Sequence, residues 1–437
     1  MTTPLEGIRV VDFSRVLAGP FCAKTLQDLG AQVTKIEPPR GDVSRLAAPI
    51  NPNGVTGYYA QQNAGKRNIS IDLNKPQAKE IARRLVEQAD IVVENFRPGT
   101  LASFGFDYEH VRQRNPRAVY VSISGYGQGG PWRGRMAYAP TVQAEAGFTH
   151  HMLRHFGENL KAPQTDALSH ADVYAGMEAT IAVLAALHQR ERTGEGQHID
   201  VAMAATLMAI NEHAHMDLNG LDPGDDPAIL GATDGSFFVG PNGEQFLSAI
   251  SLVNTITFGW FIAAMRRPDL MDDPRFRSSA LRRANLRALV EVVQKWIWTF
   301  PDMATVDAQF DEAKIAIGEV RTMDHIANSE WADYWNATYS VPDRQGGEYR
   351  LPGRPWKFSE AELPLPAAPS EQGEQNHEIC RELGFSDAEI AEMESNGSLV
   401  GNFTAQMIAM VTAQLAAKEA RFAAEQNQLE NSDDDNA

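Results

Sequence analysis

The sequence predicts an α/β protein whose larger domain is built on a Rossmann-like, largely parallel sheet. Strand patterns alternate with helical patterns along the first 205 residues, and this alternation is typical of βα units. A largely parallel sheet of this kind is covered by helices on both faces. At 437 residues the chain exceeds one ordinary core, so we expect a second domain.

The strands and helices of the larger domain can be placed in order. The predicted strands are Ile8–Phe13, Gln32–Ile36, Asn68–Leu73, Asp90–Glu94, Ala118–Ser124 and His198–Met203. The first helix has Pro20 at its first position and stops at Gly30, and the next two are predicted at Pro76–Gln88 and Tyr108–Arg114. Ligands of such sheets bind beyond the carboxyl ends of the strands, so the loops there are the first candidates for function.

The segment Ala171–Val201 holds the most distinctive candidate residue. Asp172 stands directly before a helix rich in small residues, which is predicted to end at Gly194. A carboxylate there is an ordinary helix cap, because it accepts hydrogen bonds from the first turn. The position also suits a nucleophile, since the positive helix end keeps the carboxylate ionised and stabilises negative charge beside it. The residues alone leave both interpretations open.

The net charge of −18 is unevenly distributed. Residues 1–135 carry 18 Lys and Arg against 12 Asp and Glu, whereas residues 136–437 carry 21 against 45. The first third of the chain therefore suits a polyanionic ligand. An acidic chain without a basic stripe interleaved with aromatic residues is a poor candidate for binding nucleic acid, and a small phosphorylated cofactor fits better.

The loops after the strands carry cations and backbone amides. Leu17 and Ala18 lie in a turn before a helix, where free N–H groups form an anion or amide site. The dinucleotide fingerprint GxGxxG is absent, which argues against a nicotinamide dehydrogenase. After the fourth strand, Phe96 can stack on an adenine and Arg97 can hold a phosphate. The other candidate ligand-binding residues of these loops are Arg40, Asp72, Leu73, Asn74, Lys75, Asn95, Arg135 and Tyr138.

A glycine-rich loop, residues 125–131, follows the fifth strand. Its glycines permit positive φ angles and close backbone approach. The N–H groups of Gln128, Gly129 and Gly130 either reach a substrate carbonyl or belong to a simple turn. The sequence favours neither interpretation.

The motifs AGP, KIEPPxGD, NxxKR, DL, ENFRPG and SISGxGxxGP, followed by DVYAGM…LAALxxRERTGEGQ, occur in this order. Together they resemble the signature of the class III CoA-transferases over most of residues 4–205. The resemblance implies that the loops bind the phosphorylated adenosine and pantetheine of CoA and that Asp172 is the nucleophile. It implies CoA transfer from an acyl-CoA to a carboxylic acid through aspartyl–acyl anhydrides and an aspartyl–CoA thioester. The segment DPAILGATDG does not match the glycine run of the oxalate–formate enzymes, so the acids stay open.

The residue pattern and the resemblance together divide the chain into five segments. These are the N-terminal part of the large CoA-binding domain (1–205), a polar linker (206–228), a smaller α+β domain (229–320), a return segment completing the large domain (321–402), and a C-terminal helix with an acidic tail (403–437). In the family the chain forms a ring, and two rings interlock as a homodimer. The last segment has no family counterpart; we expect a solvated helix, with a partner-binding helix as the alternative.

Two other functions stay open. An α-methylacyl-CoA racemase, from the same superfamily, needs two groups on opposite faces of the α-carbon, and Asp172 can be one of them. Racemases pair it with a His in the segment aligned with residues 136–142, which reads MAYAPTV here. The other alternative is a CoA-binding protein without turnover, which exchanges no label between acyl-CoA and free acid.

Several further classes are disfavoured. His213 and His215 cannot share one helix face, so we expect no metal site. Cys22 and Cys380 are too few for a disulfide framework, and Cys22 is expected to be a buried structural thiol. No signal-peptide pattern and no apolar run long enough to span a membrane are present. We therefore expect a cytoplasmic protein with no membrane partner.

Overall fold

The computed structural model describes residues 2–51, 53–150, 168–221, 236–401, 406, 408–410 and 413–414. The chain divides into two compact units, Met1–Asn211 with Tyr334–Ala437, and Glu212–Asp333. Linker residues 222–228, the first residues of the predicted small domain and most of the predicted C-terminal helix lie outside the described residues. The division into five segments stays a prediction.

A six-stranded, fully parallel sheet forms the centre of the larger unit. Its strands β1–β6 are Arg9–Asp12, Gln32–Glu37, Arg67–Ser70, Ile91–Glu94, Val119–Ser124 and His198–Ala202. They lie in the order β3-β2-β1-β4-β5-β6, so the chain changes direction across the sheet between β1 and β4. Strands β4 and β5 are buried along their whole length, which explains their apolar runs. The predicted parallel sheet is confirmed, with strand ends within three residues of those predicted.

Helices cover both faces of this sheet. In chain order they are α1 (Ala18–Asp28), α2 (Gly57–Asn63), α3 (Pro76–Glu87), α4 (Tyr108–Arg114), α5 (Ala139–Glu145), α6 (His170–Thr193) and α7 (Met203–Ala209). One apolar core contains residues of α1, α5, α6 and α7, and the other contains residues of α3 and α4. Helix α1 begins two residues before Pro20, which is therefore not its first residue.

The long helix α6 packs closely against α1. A Cβ atom at Gly176 would lie 2.7 Å from the Ala18 carbonyl oxygen, so this contact requires glycine at position 176. The helix begins at His170, before Asp172, and Ser169 occupies the cap position without a side-chain bond. The prediction that Asp172 stands before the helix is therefore wrong: Asp172 lies in the first turn. The C-terminal end of α6 agrees with the prediction, since the helix ends at Gly194, whose φ of 78° is left-handed.

The smaller unit has its own antiparallel sheet and an aromatic core. Strands β7 (Ser236–Val239), β8 (Gln245–Ser248) and β9 (Ile317–Glu319) lie in that order, and the first two form an antiparallel hairpin. The helices that begin in this unit are α8 (Ala214–Asn219), α9 (Thr255–Met265), α10 (Ser279–Ala284), α11 (Leu286–Ile297), α12 (Met303–Glu312), α13 (Met323–Ala327) and α14 (Glu330–Trp335). The core contains six buried phenylalanines, which are Phe238, Phe246, Phe258, Phe261, Phe276 and Phe310.

The chain after Tyr334 packs on the β3 side of the large sheet. It forms a two-stranded sheet, β10 (Thr338–Pro342) and β11 (Glu348–Pro352), and two helices, α15 (Asn376–Glu382) and α16 (Asp387–Ser395). Isolated bridges join Ala64 to Pro369 and Ile71 to Leu399. Buried residues of α15 and α16 complete the apolar core that contains α3 and α4. Within the described residues, no helix is both long and apolar enough to cross a membrane.

Candidate active site

Asp172 lies where the first turns of two helices meet. The backbone N–H of Ala18, the first residue of α1, hydrogen-bonds to its carboxylate. Pro20 has no N–H, so this first turn offers few backbone donors, and one of them is directed at Asp172. Both helix ends are positive, which favours negative charge at this point. The structure thus brings the first residue of α1 to Asp172.

The carboxylate of Asp172 is half-buried and poorly solvated. Burial raises its pKa to about 6, while the hydrogen bond from Ala18 lowers it. No described cation contributes to this shift. At neutral pH the group is therefore mostly ionised but carries a desolvation cost, as expected of a nucleophile rather than of a solvated surface carboxylate.

Tyr58, at the start of α2, belongs to the same site. Burial raises the pKa of its phenol, and the negative charges of Asp172 and Asp42 raise it further. The side chain keeps 39% of its surface exposed, so a substrate can reach it. Nothing in the sequence predicted this residue, because its segment carries no motif.

The loop after β4 is fixed by the loop after β1. Asn95 accepts the Arg15 N–H through Oδ1 and donates to the Arg15 carbonyl oxygen through Nδ2, both at 2.8 Å. The Arg15 guanidinium lies 4.9 Å from the centre of the Phe96 ring. Arg97 is exposed, and its Nη2 donates to the Gly134 carbonyl oxygen at 2.6 Å. The structure therefore places the cation of Arg15, the ring of Phe96 and the cation of Arg97 in the same pair of loops. Arg15 was not predicted from the sequence.

The remaining predicted residues lie in loops at the carboxyl ends of the strands of the parallel sheet. Arg40 follows β2 and is exposed, and Asp72, Leu73, Asn74 and Lys75 follow β3. Asp72 Oδ1 accepts from the backbone N–H of Asn74 at 3.0 Å and from its Nδ2 at 2.9 Å, which fixes this turn. Lys75 precedes α3 and makes no capping bond. These side chains line the carboxyl edge from β3 toward β4.

The glycine-rich loop and the segment after it form the other side of this edge. The backbone N–H of Gln128 donates to Asp200 Oδ2 at 2.8 Å, while Gly129 and Gly130 are exposed. Arg135 pairs with Glu145, and its guanidinium lies 4.7 Å from the Trp132 ring centre. Tyr138 is 66% exposed immediately before α5.

Comparison with known proteins identifies the family. The model of CoA-transferase family III matches residues 5–376. The chain belongs to CoA-transferase family III. It is therefore a class III CoA-transferase, as the sequence motifs predict.

Relatives of this transferase cover nearly its whole length. The formyl-CoA:oxalate CoA-transferase of Streptomyces avermitilis is 30% identical over 415 residues, which is 91% of this chain and all of that protein. The succinyl-CoA–D-citramalate CoA-transferase of Chloroflexus aurantiacus is 28% identical over 90% of this chain and 97% of its own. The crystal structure of a CAIB/BAIF family protein from Brucella suis has a TM-score of 0.73 and 30% identity, covering 88% of this chain and all of that one.

Glu94 is a buried carboxyl at the carboxyl end of the central strand β4. Glu94 ends β4, is 5% exposed, and accepts the Phe96 N–H at 2.8 Å. Burial raises its pKa to about 7. It lines a cavity of about 210 Å³ together with Arg97 and His198, on the face of the sheet covered by α4. The sequence analysis did not predict a role for Glu94. The signal that could have indicated it is a charged residue at the end of an otherwise apolar strand.

Proposed function

We propose that this transferase moves CoA from an acyl-CoA donor to a carboxylic acid acceptor, with Asp172 as the covalent carrier. The observation that carries the proposal is the Asp172 carboxylate itself, poorly solvated and held by the Ala18 N–H between two helix ends. The relatives from Streptomyces avermitilis and Chloroflexus aurantiacus are CoA-transferases. Racemization is less well supported, because residues 136–142 contain no His.

The first half of the reaction stores the thioester on the enzyme. An Asp172 oxygen attacks the thioester carbonyl, the C–S bond breaks, and an aspartyl–acyl anhydride and CoA thiolate form. The thiolate then attacks the aspartyl carbonyl carbon and displaces the donor acid as its carboxylate. The product is an aspartyl–CoA thioester.

The second half returns CoA to a different acid. The acceptor carboxylate attacks the aspartyl–CoA carbonyl, which releases thiolate and forms a second anhydride. The thiolate attacks the acceptor carbonyl, yields the new acyl-CoA, and regenerates the Asp172 carboxylate. No proton is transferred in any step, so the site needs charge stabilisation more than an acid or a base.

The Ala18 N–H supplies part of that stabilisation. It fixes one carboxylate oxygen, which leaves the other directed for attack, and it donates to the oxyanion that forms when the thiolate adds to the aspartyl carbonyl. The side chain of Asp172 is half-buried in the free enzyme. Bound CoA will exclude water further, which protects the anhydride and thioester from hydrolysis.

CoA is proposed to lie along the carboxyl edge of the sheet. The residues assigned to it are Leu17, Ala18, Arg40, Asp72, Leu73, Asn74, Lys75, Asn95, Phe96, Arg97, Arg135 and Tyr138, with Gln128, Gly129 and Gly130 near the thioester. The support is their position in loops after β1 to β5, together with the excess of basic residues in the first third of the chain. Phe96, already covered by Arg15, offers a stacking surface for adenine.

Arg97→Ala should weaken binding of CoA more than binding of dephospho-CoA. Arg97 is proposed to hold the 3′-phosphate, and one charge-assisted contact is worth about 1.5–3 kcal/mol. The dissociation constants of both ligands are measured by calorimetry. Arg112→Ala removes an exposed cation from α4 and serves as the control, which should change neither constant. Equal losses for CoA and dephospho-CoA in the Arg97 variant would reject the assignment.

The transferase is also proposed to be a homodimer. Met177, Ile181 and Leu184 follow one another at helical spacing along α6 and are 47%, 58% and 36% exposed. An apolar stripe on the helix that carries the nucleophile is typical of a surface covered by a second subunit.

Ile181→Asp should lower the fraction of chains that assemble into dimers as they fold, because it places a charge in the middle of this stripe. The mass in solution is measured by light scattering after size-exclusion chromatography. Glu191→Ala changes an exposed residue of the same helix and should leave the dimer intact. A variant that remains fully dimeric would show that the stripe is not the interface.

A cytoplasmic location is proposed as well. Both cysteines, Cys22 and Cys380, are free and buried in this structure. Burial raises the pKa of each thiol to about 12, so neither is reactive. Unpaired cysteines fit a reducing compartment.

A further inference from the structure

The loop before Ala18 contains a strained residue. Val16 has φ 67°, in the left-handed region that a β-branched side chain disfavours strongly. Its N–H lies 3.2 and 3.3 Å from the two carboxylate oxygens of Asp42. Such strain persists only where the surroundings impose it, and it occurs mainly at functional sites.

The two residues before Val16 are also held in place. The Ser14 carbonyl oxygen accepts from Lys35 Nζ at 2.7 Å. Both backbone polar groups of Arg15 bond to the side chain of Asn95. The whole path from β1 to the first turn of α1 is therefore determined by side chains from other strands and loops.

Six buried ionic groups lie beneath this loop. The ion pairs are Lys35–Asp42 at 3.0 Å, Arg45–Glu37 at 2.8 Å and Lys66–Asp12 at 2.9 Å, with every side chain 0–1% exposed. Three acids balance three bases. Lys66 also donates to the Pro20 carbonyl oxygen in α1 at 2.9 Å. Buried pairs contribute little net stability, because desolvation offsets their attraction, so their value lies in fixing one arrangement.

We propose that Asp42 is a positioning residue, which holds Val16 in its left-handed conformation and thereby directs the Ala18 N–H at Asp172. The link is short in sequence, since only Leu17 separates Val16 from Ala18. When Asp42 releases the Val16 N–H, Val16 relaxes to a negative φ and the Ala18 N–H turns away from the carboxylate. This proposal rests on the proposed role of Asp172 as nucleophile.

When Asp42 is replaced, the direction in which the pKa of Asp172 moves shows whether a positioning contact or only a nearby charge has been lost. Burial and the Ala18 N–H of α1 act on the pKa of Asp172, and the charges of Asp172 and Asp42 both act on the Tyr58 phenol of α2. Removing the negative charge of Asp42 can only lower the pKa of Asp172 or leave it unchanged. Losing the Ala18 hydrogen bond raises it. An upward shift therefore reports the loss of positioning.

The test is a double-mutant cycle between Asp42→Ala and Val16→Gly. Asp42→Ala should lower kcat roughly 10- to 100-fold with a smaller change in KM for acyl-CoA, and should move the acid limb of the pH–rate profile upward. Val16→Gly alone should be close to wild type. In the double variant, the glycine introduced in place of Val16 adopts the positive φ without strain, so part of the lost kcat should return. Asp42→Asn, which retains an acceptor for the Ser44 N–H, should be intermediate.

Two readings decide the outcome: the pKa of Asp172 and the recovery of kcat by Val16→Gly. Modification of Asp172 by a water-soluble carbodiimide, followed by peptide mass against pH, reports its pKa without requiring turnover. An unchanged or lowered pKa in both Asp42 variants, with no recovery by Val16→Gly, would overturn the proposal. If Asp42→Ala does not fold, the same two readings are taken with Asp42→Asn. Normal turnover by Asp172→Asn would instead refute the proposed function, while the carbodiimide titration would still test positioning.

Discussion

Asp172→Asn should lower the rate of CoA transfer roughly 10⁴-fold or more, as expected when a covalent nucleophile is removed. The amide keeps the shape of the carboxyl group and can still accept the Ala18 N–H, but it cannot form the anhydride. Turnover is measured by mass spectrometry of the new acyl-CoA. Glu178→Gln makes the same change at an exposed carboxylate of α6 and should keep full activity.

The same substitution should stabilise the folded protein at neutral pH. Because burial raises the pKa of Asp172 to about 6, the ionised group destabilises the fold above that pH. The cost is absent below the ordinary value of 3.8 and grows as pH rises from 3.8 to 6. We expect a gain of about 1–3 kcal/mol in the free energy of unfolding at pH 7, which disappears near pH 4. A destabilised Asp172→Asn would show that its low activity has a structural cause.

The second large effect is on the pH dependence of the reaction. The nucleophile must be ionised, so kcat/KM should fall tenfold per pH unit below about 6 and roughly a hundredfold by pH 4. The profile is measured with the unfolding temperature recorded at each pH, so that acid unfolding is separated from titration. A profile that stays flat through pH 6 would contradict this prediction.

Glu94 is the control for that profile, because burial raises its pKa to about 7. Glu94→Gln should leave the acid limb where it is. A limb near pH 7 that vanishes in this variant would assign the titration to Glu94 instead of Asp172.

The parallel sheet could be predicted because its signals are local. Strands such as β4 and β5 show apolar runs, and the turn residues of each loop follow directly in the sequence. The motif residues at the carboxyl edge could be located for the same reason. The start of α6 was predicted three residues late. Ser169 and Asp172 are both favoured cap residues, so the local sequence does not decide between them, and Ala171 is fixed by burial against the core.

The buried ion pairs and hydrogen bonds that support the site could not be predicted, because they join residues that are far apart in the sequence. Lys66 and Asp12 are 54 residues apart in sequence, and Arg45 reaches the carbonyl of Ser370, 325 residues away. The sequence contains the six charged residues of these ion pairs, but it does not show which of them are buried together. Tyr58 was not predicted for the same reason, since only the fold brings α2 beside Asp172.

Trapping the covalent intermediate tests the central claim most directly. The transferase is incubated with acyl-CoA and treated with hydroxylamine, or with borohydride to reduce an aspartyl–CoA thioester, and its peptides are then mapped by mass spectrometry. We expect the hydroxamate or the alcohol on the peptide that contains Asp172, and no adduct in Asp172→Asn. An unmodified Asp172 peptide under turnover conditions, or an adduct on another residue, would contradict the assignment of Asp172 as the carrier.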